Sequence, residues 1–241
     1  MSKIIIHGGF FSESSTNIET KIAKQQALLR IVKDSYAYLQ NHSALETVVY
    51  AVSQLEDDEL FNAGIGSQIQ SDGKIRMSAS LMDGESQKMS GVINIEEVKN
   101  PIQVAQVLMQ VDDRILGGSG ATNFARKHGF EPFSTEIPQR RAEYEVNLVS
   151  LGTGTVGCVA LDKNGKIAVA TSTGGKGFEI SGRISDSATV AGNYANEFCG
   201  VSLTGVGEDI VSNATAAKIV TRVTDGFSIE KAFEKTFAEL K

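Results

Sequence analysis

Apolar residues in the first part of the chain repeat at two different spacings. A β-branched run at residues 3–7 ends at a glycine pair, which predicts a short buried strand. A helix is predicted from Ser43 to Leu55, with Ser43 and Glu46 forming a capping box at its start. Before it, Asn17 is expected to cap a longer helix. The apolar stripe expected on that longer helix comprises Ile18, Ile22, Ala23, Leu28, Leu29, Ile31 and Val32.

The middle of the chain mixes strand-like and helical patterns. Two strand-like segments, Ile75 to Met82 and Lys88 to Ile95, are separated by an Asp-Gly turn signal. Helices are then predicted to begin at Pro101 and to cover Ala121 to Lys127. Over residues 130–150, prolines and charged residues interrupt the apolar spacing that is typical of helices or strands. This stretch is therefore predicted to be an exposed loop or linker.

The C-terminal part begins with a hairpin pattern. Two apolar runs, Thr155 to Leu161 and Ile167 to Thr173, flank an Asn-Gly turn, the strongest short signal for a hairpin. Two more strands and two closing helices are predicted at residues 189–192, 200–204, 209–222 and 228–240. Helices in a block, strands in hairpins and helices again indicate layered α+β packing, in a single domain over residues 1–241.

Composition and charge exclude several classes of partner. The chain has 241 residues, 41% of them hydrophobic, and a formal net charge of −6. An acidic protein has no electrostatic attraction to nucleic acids or anionic membranes. No stretch approaches the roughly 18 apolar residues that span a bilayer. The first residues are too short an apolar run for a signal peptide, so a cytoplasmic location is expected.

Cysteines and histidines give no sign of a metal centre. Cys158 and Cys199 lie far apart in apolar runs, which is typical of small buried side chains. The histidines, His7, His42 and His128, share no metal-ligand spacing. The sequence therefore predicts no zinc site and no cofactor.

A glycine motif at residues 152–157, GTGTVG, matches the dinucleotide-binding pattern letter for letter. In a dinucleotide site, that loop opens a helix whose N-terminus meets the pyrophosphate. Here the following residues run into an Asn-Gly turn, so a strand is predicted instead. The acidic residue expected about 20 positions later is also missing. A nucleotide-binding dehydrogenase remains only a weak alternative.

The same glycines belong to a second pattern that covers nearly the whole chain. Its segments are residues 7–9 (His-Gly-Gly), 61–64 (Phe-Asn-Ala-Gly), 82–84 (Met-Asp-Gly), 99–101 (Lys-Asn-Pro), 154–157 (Gly-Thr-Val-Gly), 171–175 (Thr-Ser-Thr-Gly-Gly), 182–183 (Gly-Arg), 186–187 (Asp-Ser) and 204–208 (Thr-Gly-Val-Gly-Glu). In this order, the segments resemble those of the plant-type asparaginase and isoaspartyl peptidase family of N-terminal-nucleophile hydrolases.

The resemblance implies a four-layer α/β/β/α sandwich and a precursor that breaks its own Gly154–Thr155 bond. The products would be segments 1–154 and 155–241, which stay folded together. A threonine hydroxyl needs an adjacent base, and the freed α-amino group of Thr155, with a pKa of about 8, can serve as that base. The implied function is hydrolysis of β-aspartyl peptides and L-asparagine, with a small molecule or dipeptide as substrate.

Further site residues are implied by the same resemblance. Thr173 would orient the nucleophile, although a simple cross-strand Thr–Thr contact would explain its position equally well. Arg183 and Asp186 would clamp the substrate α-carboxylate and α-amino groups, and the alternative is a surface ion pair. The Thr204 hydroxyl and the Gly205 backbone N–H would form the oxyanion hole.

Three more features depend on the resemblance. Gly207 would line the substrate site. Asn62 would assist self-cleavage or line the site, unless it is only a turn former. A sodium ion would bind backbone carbonyls in the loop from Leu55 to Ile65, unless that loop is a plain exposed turn. The carbonyls assigned to the ion are those of Leu55, Phe61, Ala63 and Ile65.

One segment departs from the family pattern and keeps other functions open. Relatives continue His-Gly-Gly with Ala-Gly, whereas this chain has Phe10 and Phe11. Two bulky rings near the nucleophile could narrow the site or alter cleavage. The alternatives are a glycosylasparaginase, or an uncleaved binding or assembly protein on the same fold. The family also implies a homodimer of processed protomers.

Overall fold

The computed structural model describes residues 1–9, 18–146 and 154–240. Within these ranges the chain forms eight α-helices and eight strands. The helices are α1 (Ile18–Leu39), α2 (Ala44–Glu56), α3 (Pro101–Leu108), α4 (Gly118–Lys127), α5 (Pro138–Glu145), α6 (Gly207–Asn213), α7 (Thr215–Thr224) and α8 (Ile229–Ala238). The strands are β1 (Lys3–His7), β2 (Met77–Asp83), β3 (Lys88–Ile95), β4 (Ile115–Gly117), β5 (Val156–Leu161), β6 (Ile167–Thr173), β7 (Asn193–Ala195) and β8 (Gly200–Ser202).

Six strands form one mixed sheet in the order β1-β5-β6-β2-β3-β4. All neighbouring pairs are antiparallel except β3 and β4. The predicted β5–β6 hairpin is confirmed and lies inside the sheet, between β1 and β2. A separate two-stranded sheet contains β7 and β8. The chain is therefore a mixed α/β protein with a six-stranded sheet.

The two faces of the six-stranded sheet pack against different elements. Ala168 and Ala170 on β6 belong to the main hydrophobic cluster, which also contains buried residues of α2 and α3. Val169, between them, belongs to a smaller cluster with Met82 and Ala195. Because side chains alternate along a strand, these clusters lie on opposite faces of the sheet. The β7–β8 sheet contacts the face opposite α2 and α3.

The capping box predicted for α2 is confirmed. The Ser43 hydroxyl accepts a hydrogen bond from the Glu46 N–H, and the Glu46 carboxylate accepts one from the Ser43 N–H. Asp162 ties this helix to the hairpin, since its carboxylate accepts from the N–H groups of Ala44 and Lys166. Local signals at the helix and at the turn therefore fix the packing of α2 on β5 and β6.

The apolar stripe predicted for α1 is wrong in part. The helix begins at Ile18, and Asn17 lies outside the described residues. Ile22 and Leu29 are exposed, whereas the buried line is Ala27, Ile31, Ser35 and Leu39. Residues four apart share a helix face, and Leu29 lies about 200° around the axis from Ala27. The predicted stripe grouped residues because they are apolar, although not all of them lie on one face of the helix.

Other boundaries also differ from the predictions. Residues 138–145, predicted as loop, form α5, because Pro138 occupies the first helical position, where its missing N–H costs nothing. The strand predicted at residues 189–192 is wrong, since Thr189 caps a 3-10 turn there and β7 begins only at Asn193. The single helix predicted over residues 209–222 is broken at Ala214, which has a left-handed backbone with φ of 48°. Strand β4 was not predicted.

Candidate active site

Thr155 stands directly before β5, next to Gly154, and only 9% of its surface is exposed. Its Oγ1 hydroxyl donates to the Oγ1 of Thr173 over 3.2 Å. The hairpin register explains this contact, because Val156 pairs with Ser172 and the next position brings Thr155 beside Thr173. The predicted proximity of these two threonines is confirmed.

Ser187 is a third hydroxyl at this point that was not assigned from the sequence. Its Oγ lies 3.5 Å from the Thr155 Oγ1, and the residue is fully buried. A 3-10 turn at Asp186–Ala188, capped by the Ser185 hydroxyl, brings it there from a distant part of the chain. The only sequence signal was its place beside Asp186 in the resemblance.

His7 contacts the backbone of Thr155. Its Nδ1 lies 3.0 Å from the Thr155 carbonyl oxygen, and its Nε2 lies 2.8 Å from the Ser202 hydroxyl. Burial lowers the pKa of His7 to about 4, against the opposing effect of the Thr155 contact. The imidazole is therefore neutral at pH 7. The sequence marked His7 only as part of a matching segment.

Close packing, by backbone at Gly154 and by side chains at Gly157, explains why glycines surround Thr155. A Cβ atom added to Gly154 would lie 2.4 Å from the Cα of Gly9. A Cβ atom added to Gly157 would lie 2.4 Å from the Nε2 of His7 and 2.0 Å from the Ser202 hydroxyl. Such distances are far below van der Waals contact, so the motif has a packing role that has nothing to do with a nucleotide. As predicted, a strand and not a helix follows it.

Arg183 and Asp186 are close but do not pair as a simple surface ion pair. Arg183 donates from Nε and Nη2 to the two carboxylate oxygens of Glu208, over 2.7 and 3.0 Å. This contact lowers the pKa of Glu208 to about 2, the hydrogen bond from Arg183 being the largest cause. Glu208 was not assigned a role from the sequence. The guanidinium is thus held in one orientation, and its Nη1 is not used by Glu208.

Asp186 is buried, with 3% of its surface exposed. Burial raises its pKa to about 6, although the charge of Arg183 lowers it. Its Oδ2 has no hydrogen-bond partner among the described residues. Gly207 adjoins both members of the clamp, since a Cβ added there would lie 2.9 Å from Arg183 Nη2 and 2.9 Å from Asp186 Oδ1. A buried carboxylate oxygen without a partner is costly, and a ligand ammonium would supply one.

Thr204 and Gly205 follow β8. The Thr204 Oγ1 is buried and finds no hydrogen-bond partner in the part of the chain that the structure describes. Gly205 has a positive φ of 155°, a backbone conformation that residues with side chains rarely adopt. No direct contact joins either residue to Thr155 among the described hydrogen bonds, so their predicted role as an oxyanion hole stays a prediction.

Asn62 holds the chain that follows β6. Its side-chain amide donates to the Gly175 carbonyl over 2.6 Å and accepts from the Gln68 N–H over 3.0 Å. Its backbone carbonyl accepts from the Gly174 N–H. Gly175 in turn donates its N–H to the Thr173 Oγ1 over 3.2 Å. Hydrogen bonds through Gly174 and Gly175 therefore connect Asn62 to Thr173, the residue that contacts Thr155.

The loop predicted to bind sodium is compact and brings carbonyl groups together. A Cβ added to Gly66 would lie 2.6 Å from the Glu59 carbonyl oxygen and 2.8 Å from that of Phe61. The Ile65 N–H donates to the Glu56 carbonyl. Over residues 1–9, 18–146 and 154–240, His, Cys, Asp and Glu side chains form no group of three that could hold a metal. The backbone carbonyls of Glu59 and Phe61 are among the oxygen ligands that this loop offers.

Other sequence predictions can be checked more briefly. Cys158 and Cys199 are free and buried, as predicted. Phe10 and Phe11 lie outside the described residues. Among the described helices, none combines the length and the apolar character that crossing a bilayer requires.

Comparison with known proteins decides the family. The family model described as asparaginase matches residues 1–145 and 133–241. The chain belongs to the asparaginase family. The resemblance stated from the sequence is thereby confirmed over the full chain.

Similar proteins in this family carry consistent names. An isoaspartyl peptidase/L-asparaginase from Nostoc is 45% identical, covering 98% of this chain and 81% of the relative. The protein of the same name from Synechocystis is 46% identical, covering 98% and 77%. The isoaspartyl peptidase of Escherichia coli is 35% identical, covering 98% and 81%. Asparaginase-family enzymes of similar sequence thus align with the chain from end to end.

Proposed function

We propose that this chain is a self-processing amidohydrolase that cleaves β-aspartyl peptides and L-asparagine through Thr155. The observation that carries the proposal is the buried Thr155 hydroxyl, which directly follows Gly154 and donates to Thr173. The names of the similar proteins support the substrate class.

The arrangement of layers supports the four-layer α/β/β/α sandwich implied by the family. Helices α2 and α3 contact the six-stranded sheet, and the β7–β8 sheet contacts β5, β6 and β2. Helix α7 packs on β7–β8, and α8 packs on α7. In this proposal one domain contains both sheets, and the nucleophile lies where the second sheet approaches the first.

The first proposed reaction is cleavage of the chain itself. The Thr155 hydroxyl attacks the carbonyl carbon of Gly154, the Gly154–Thr155 C–N bond breaks, and the proton passes to the departing nitrogen. The resulting ester is hydrolysed by water, which leaves a carboxylate on Gly154 and a free α-amino group on Thr155. Thr173 is the group that holds the attacking hydroxyl.

The second reaction is turnover. The freed α-amino group accepts the proton of the Thr155 hydroxyl, which attacks the side-chain carbonyl of the substrate. The unpartnered Thr204 hydroxyl and the Gly205 N–H stabilise the oxyanion. The proton passes to the departing amine or ammonia, and water hydrolyses the acyl-enzyme to release aspartate. Asn62 supports this geometry from behind Thr173.

Substrate recognition uses the clamp. Arg183 binds the α-carboxylate with the part of its guanidinium that Glu208 leaves free. Asp186 binds the α-amino group, and the incoming positive charge stabilises the ionised form of that buried carboxylate. Gly207 leaves room between them because it has no side chain.

We propose that a structural sodium ion binds backbone carbonyls of the loop from Leu55 to Ile65. Hard cations take oxygen ligands, and the carbonyl of Phe61 already converges with that of Glu59. We assign the carbonyls of Leu55, Phe61, Ala63 and Ile65 to the ion, whose part is to stiffen the loop that holds Asn62. A cytoplasmic location and a homodimer of processed protomers complete the proposal. Two free, buried cysteines are typical of a reducing compartment.

The decisive measurement is the denatured mass of freshly purified protein, repeated during several days at neutral pH. We expect two fragments that correspond to residues 1–154 and 155–241, and hydrolysis of both a β-aspartyl dipeptide and L-asparagine. Thr155→Ala should block both reactions completely, whereas Thr155→Ser should retain part of each. An intact Thr155→Ala protein with full activity would sink the proposal.

Side-by-side assay with a glycosylated asparagine separates the nearest rival. A preference for that substrate would indicate a glycosylasparaginase. Wild-type protein that stays a single chain and hydrolyses none of the three substrates would favour the uncleaved alternative on the same fold.

A further inference from the structure

A line of hydrogen-bonded side chains connects the small sheet to the backbone of the nucleophile. It runs from Asn193 to Thr171 (Oδ1 to Oγ1, 3.0 Å), from Thr171 to Ser202 (2.7 Å between hydroxyls) and from Ser202 to His7 Nε2 (2.8 Å). His7 Nδ1 then meets the Thr155 carbonyl oxygen at 3.0 Å. Thr171 and Asn193 are completely buried. The line crosses from β7 and β8, through β6, to the end of β1.

The proton positions along this line follow from its last contact. A carbonyl oxygen can only accept, so Nδ1 of His7 carries the proton. A neutral imidazole then accepts at Nε2, and the Ser202 hydroxyl must be the donor. The single Ser202 proton goes to Nε2 at 2.8 Å, which is closer than the Ala170 carbonyl oxygen at 3.5 Å, so the Ser202 oxygen accepts from the Thr171 hydroxyl. Thr171 then has no proton left for Asn193 and must itself accept one.

Asn193 meets this requirement when its amide is turned by 180°. As placed, its Nδ2 has no hydrogen-bond partner among the described residues, while its Oδ1 faces Thr171. Amide oxygen and nitrogen have nearly the same shape, so the hydrogen-bond network decides between them. With Nδ2 toward Thr171, every hydroxyl donates once. In the other orientation, Thr171 donates to the Asn193 oxygen. If Ser202 then donates to His7, no proton lies between the Ser202 and Thr171 oxygens. If Ser202 instead donates to Thr171, His7 must carry protons on both nitrogens and be charged.

We propose that His7 is a positioning residue for the nucleophile, and that Asn193, Thr171 and Ser202 hold its imidazole in the Nδ1-protonated form. This inference deepens the proposed function and rests on it. His7 does not touch the substrate or the reacting hydroxyl. It acts through the Thr155 carbonyl.

The strand register shows why Thr155 needs such support. The β1–β5 ladder ends at the pair His7 and Gly157, and the β5–β6 ladder ends at Val156 and Ser172. Thr155 therefore lies outside both ladders. Cleavage would also remove its covalent link to Gly154. The hydrogen bond from His7 to the Thr155 carbonyl then restricts rotation about the Cα–C bond of Thr155. This restriction keeps the Thr155 hydroxyl and amine aligned with Thr173.

Gly157 provides a second, independent sign that the line is built into the fold. A side chain at this position would overlap both His7 Nε2 and the Ser202 hydroxyl. The glycine thus keeps open the space in which these two groups meet. It pairs directly with His7 across the ladder, so the imidazole lies over a residue without a side chain.

The first test compares three substitutions with a matched control. His7→Leu removes the donor, and His7→Asn keeps an N–H where Nδ1 lies. Ser202→Ala removes the group that fixes the tautomer. His42 lies between α1 and α2, and its Nδ1 also lies 2.9 Å from a backbone carbonyl, that of Tyr38, so His42→Leu is the control.

We expect His7→Leu to lower both the self-cleavage rate and kcat by about 10-fold to 100-fold, with KM nearly unchanged, because a misplaced nucleophile loses rate and not affinity. His7→Asn should recover most of the rate, Ser202→Ala should lie between them, and His42→Leu should match the wild type. A His7→Leu protein with wild-type kcat contradicts the inference, as does a His7→Asn protein no better than His7→Leu.

The second test needs no substitution. Nitrogen NMR of labelled histidine in the wild-type protein should show His7 protonated at Nδ1 only, at neutral pH. Protonation at Nε2 or at both nitrogens would contradict the donors assigned from Asn193 to His7, whatever the activities of the variants. If the wild-type chain neither cleaves itself nor hydrolyses a substrate, the proposed function fails. An active wild type whose His7 is protonated at Nε2 would leave that function intact and refute only the role of His7.

Discussion

The two faces of the six-stranded sheet are built from the same strands and do different work. On β6, Ala168, Ala170 and Ser172 face the helices, while Val169, Thr171 and Thr173 face the β7–β8 sheet. The helix-facing side is mainly alkyl and forms the larger core. The opposite side has hydroxyl groups that hydrogen-bond to one another and to Thr155. The alternation of side chains along β6 therefore provides an apolar core on one face of the sheet and hydroxyl groups on the other.

One buried acid interrupts the apolar face. Glu56, at the end of α2, is fully buried, and its Oε1 accepts from the Ser172 hydroxyl and the Ile102 N–H. Its Oε2 has no partner within the described part of the chain. Ser172 lies between Thr171 and Thr173, so one strand joins this carboxyl to the hydroxyl side. The comparison teaches that buried polar groups on one face should govern stability, and those on the other should govern rate.

The largest effect is expected from Glu56→Gln, measured as a function of pH. Burial raises the pKa of Glu56 from 4.5 to about 8. The folded state therefore holds this proton more tightly than the unfolded state does, and stability is lost as pH rises from 4.5 through 8. Glutamine mimics the neutral acid and does not titrate.

The free energy of unfolding of Glu56→Gln should accordingly change relative to wild type by on the order of 4 kcal/mol in favour of the variant between pH 4.5 and pH 8. Denaturant unfolding of both proteins at several pH values measures this difference. A difference that stays constant with pH would show that Glu56 has an ordinary pKa. Turnover at neutral pH should change little.

The next effect in size is expected from Thr173→Val, on the opposite face. Valine keeps the shape but removes the oxygen that accepts from the Thr155 hydroxyl and the Gly175 N–H. Self-cleavage and kcat should fall about 100-fold, because Thr155, the proposed nucleophile, loses its alignment. Mass spectrometry of the precursor and steady-state kinetics check this result.

Thr47→Val is the matched control, since Thr47 is equally buried but its hydroxyl donates to the Ser43 carbonyl on α2. It should cost stability and leave kcat unchanged. If both threonine variants lost the same fraction of activity, the division of labour between the faces would be wrong.

The smallest effect is expected from Ser43→Ala at the start of α2. The substitution removes the hydroxyl that accepts from the Glu46 N–H and should cost about 1 kcal/mol of stability. Thermal or denaturant unfolding measures it, and activity per folded molecule should equal that of wild type. A change in KM would show that α2 transmits strain to the clamp.

Local signals explain which parts of the fold could be predicted from the sequence. The Ser43 and Glu46 box, Pro101 and the Asn-Gly turn each act within a few residues, and all three predictions are confirmed. Helix α5, the break at Ala214 and strand β4 could not be predicted. Ala214 has no conformational preference for a left-handed backbone, so tertiary packing imposes it.

In the candidate site, too, only contacts between residues near each other in sequence could be predicted. Thr155 and Thr173 could be placed together because they belong to one hairpin, in which register follows from the turn. Ser187, His7 and Glu208 reach the site from segments far away in sequence, and their contacts depend on strand pairing and packing between distant parts of the chain. A serine, a histidine or a glutamate has no local pattern that reveals such a contact.

The order of strands has a consequence for the two fragments of the proposed enzyme. The β5–β6 hairpin comes from residues after Gly154, yet it lies between β1 and β2, which come from residues before it. Separating the pieces would require stripping hydrogen bonds along both edges of the hairpin at once. A purification tag on either piece should therefore retrieve both. The gene could be divided at this bond into two reading frames, whose products would have to assemble by inserting a hairpin into a gap.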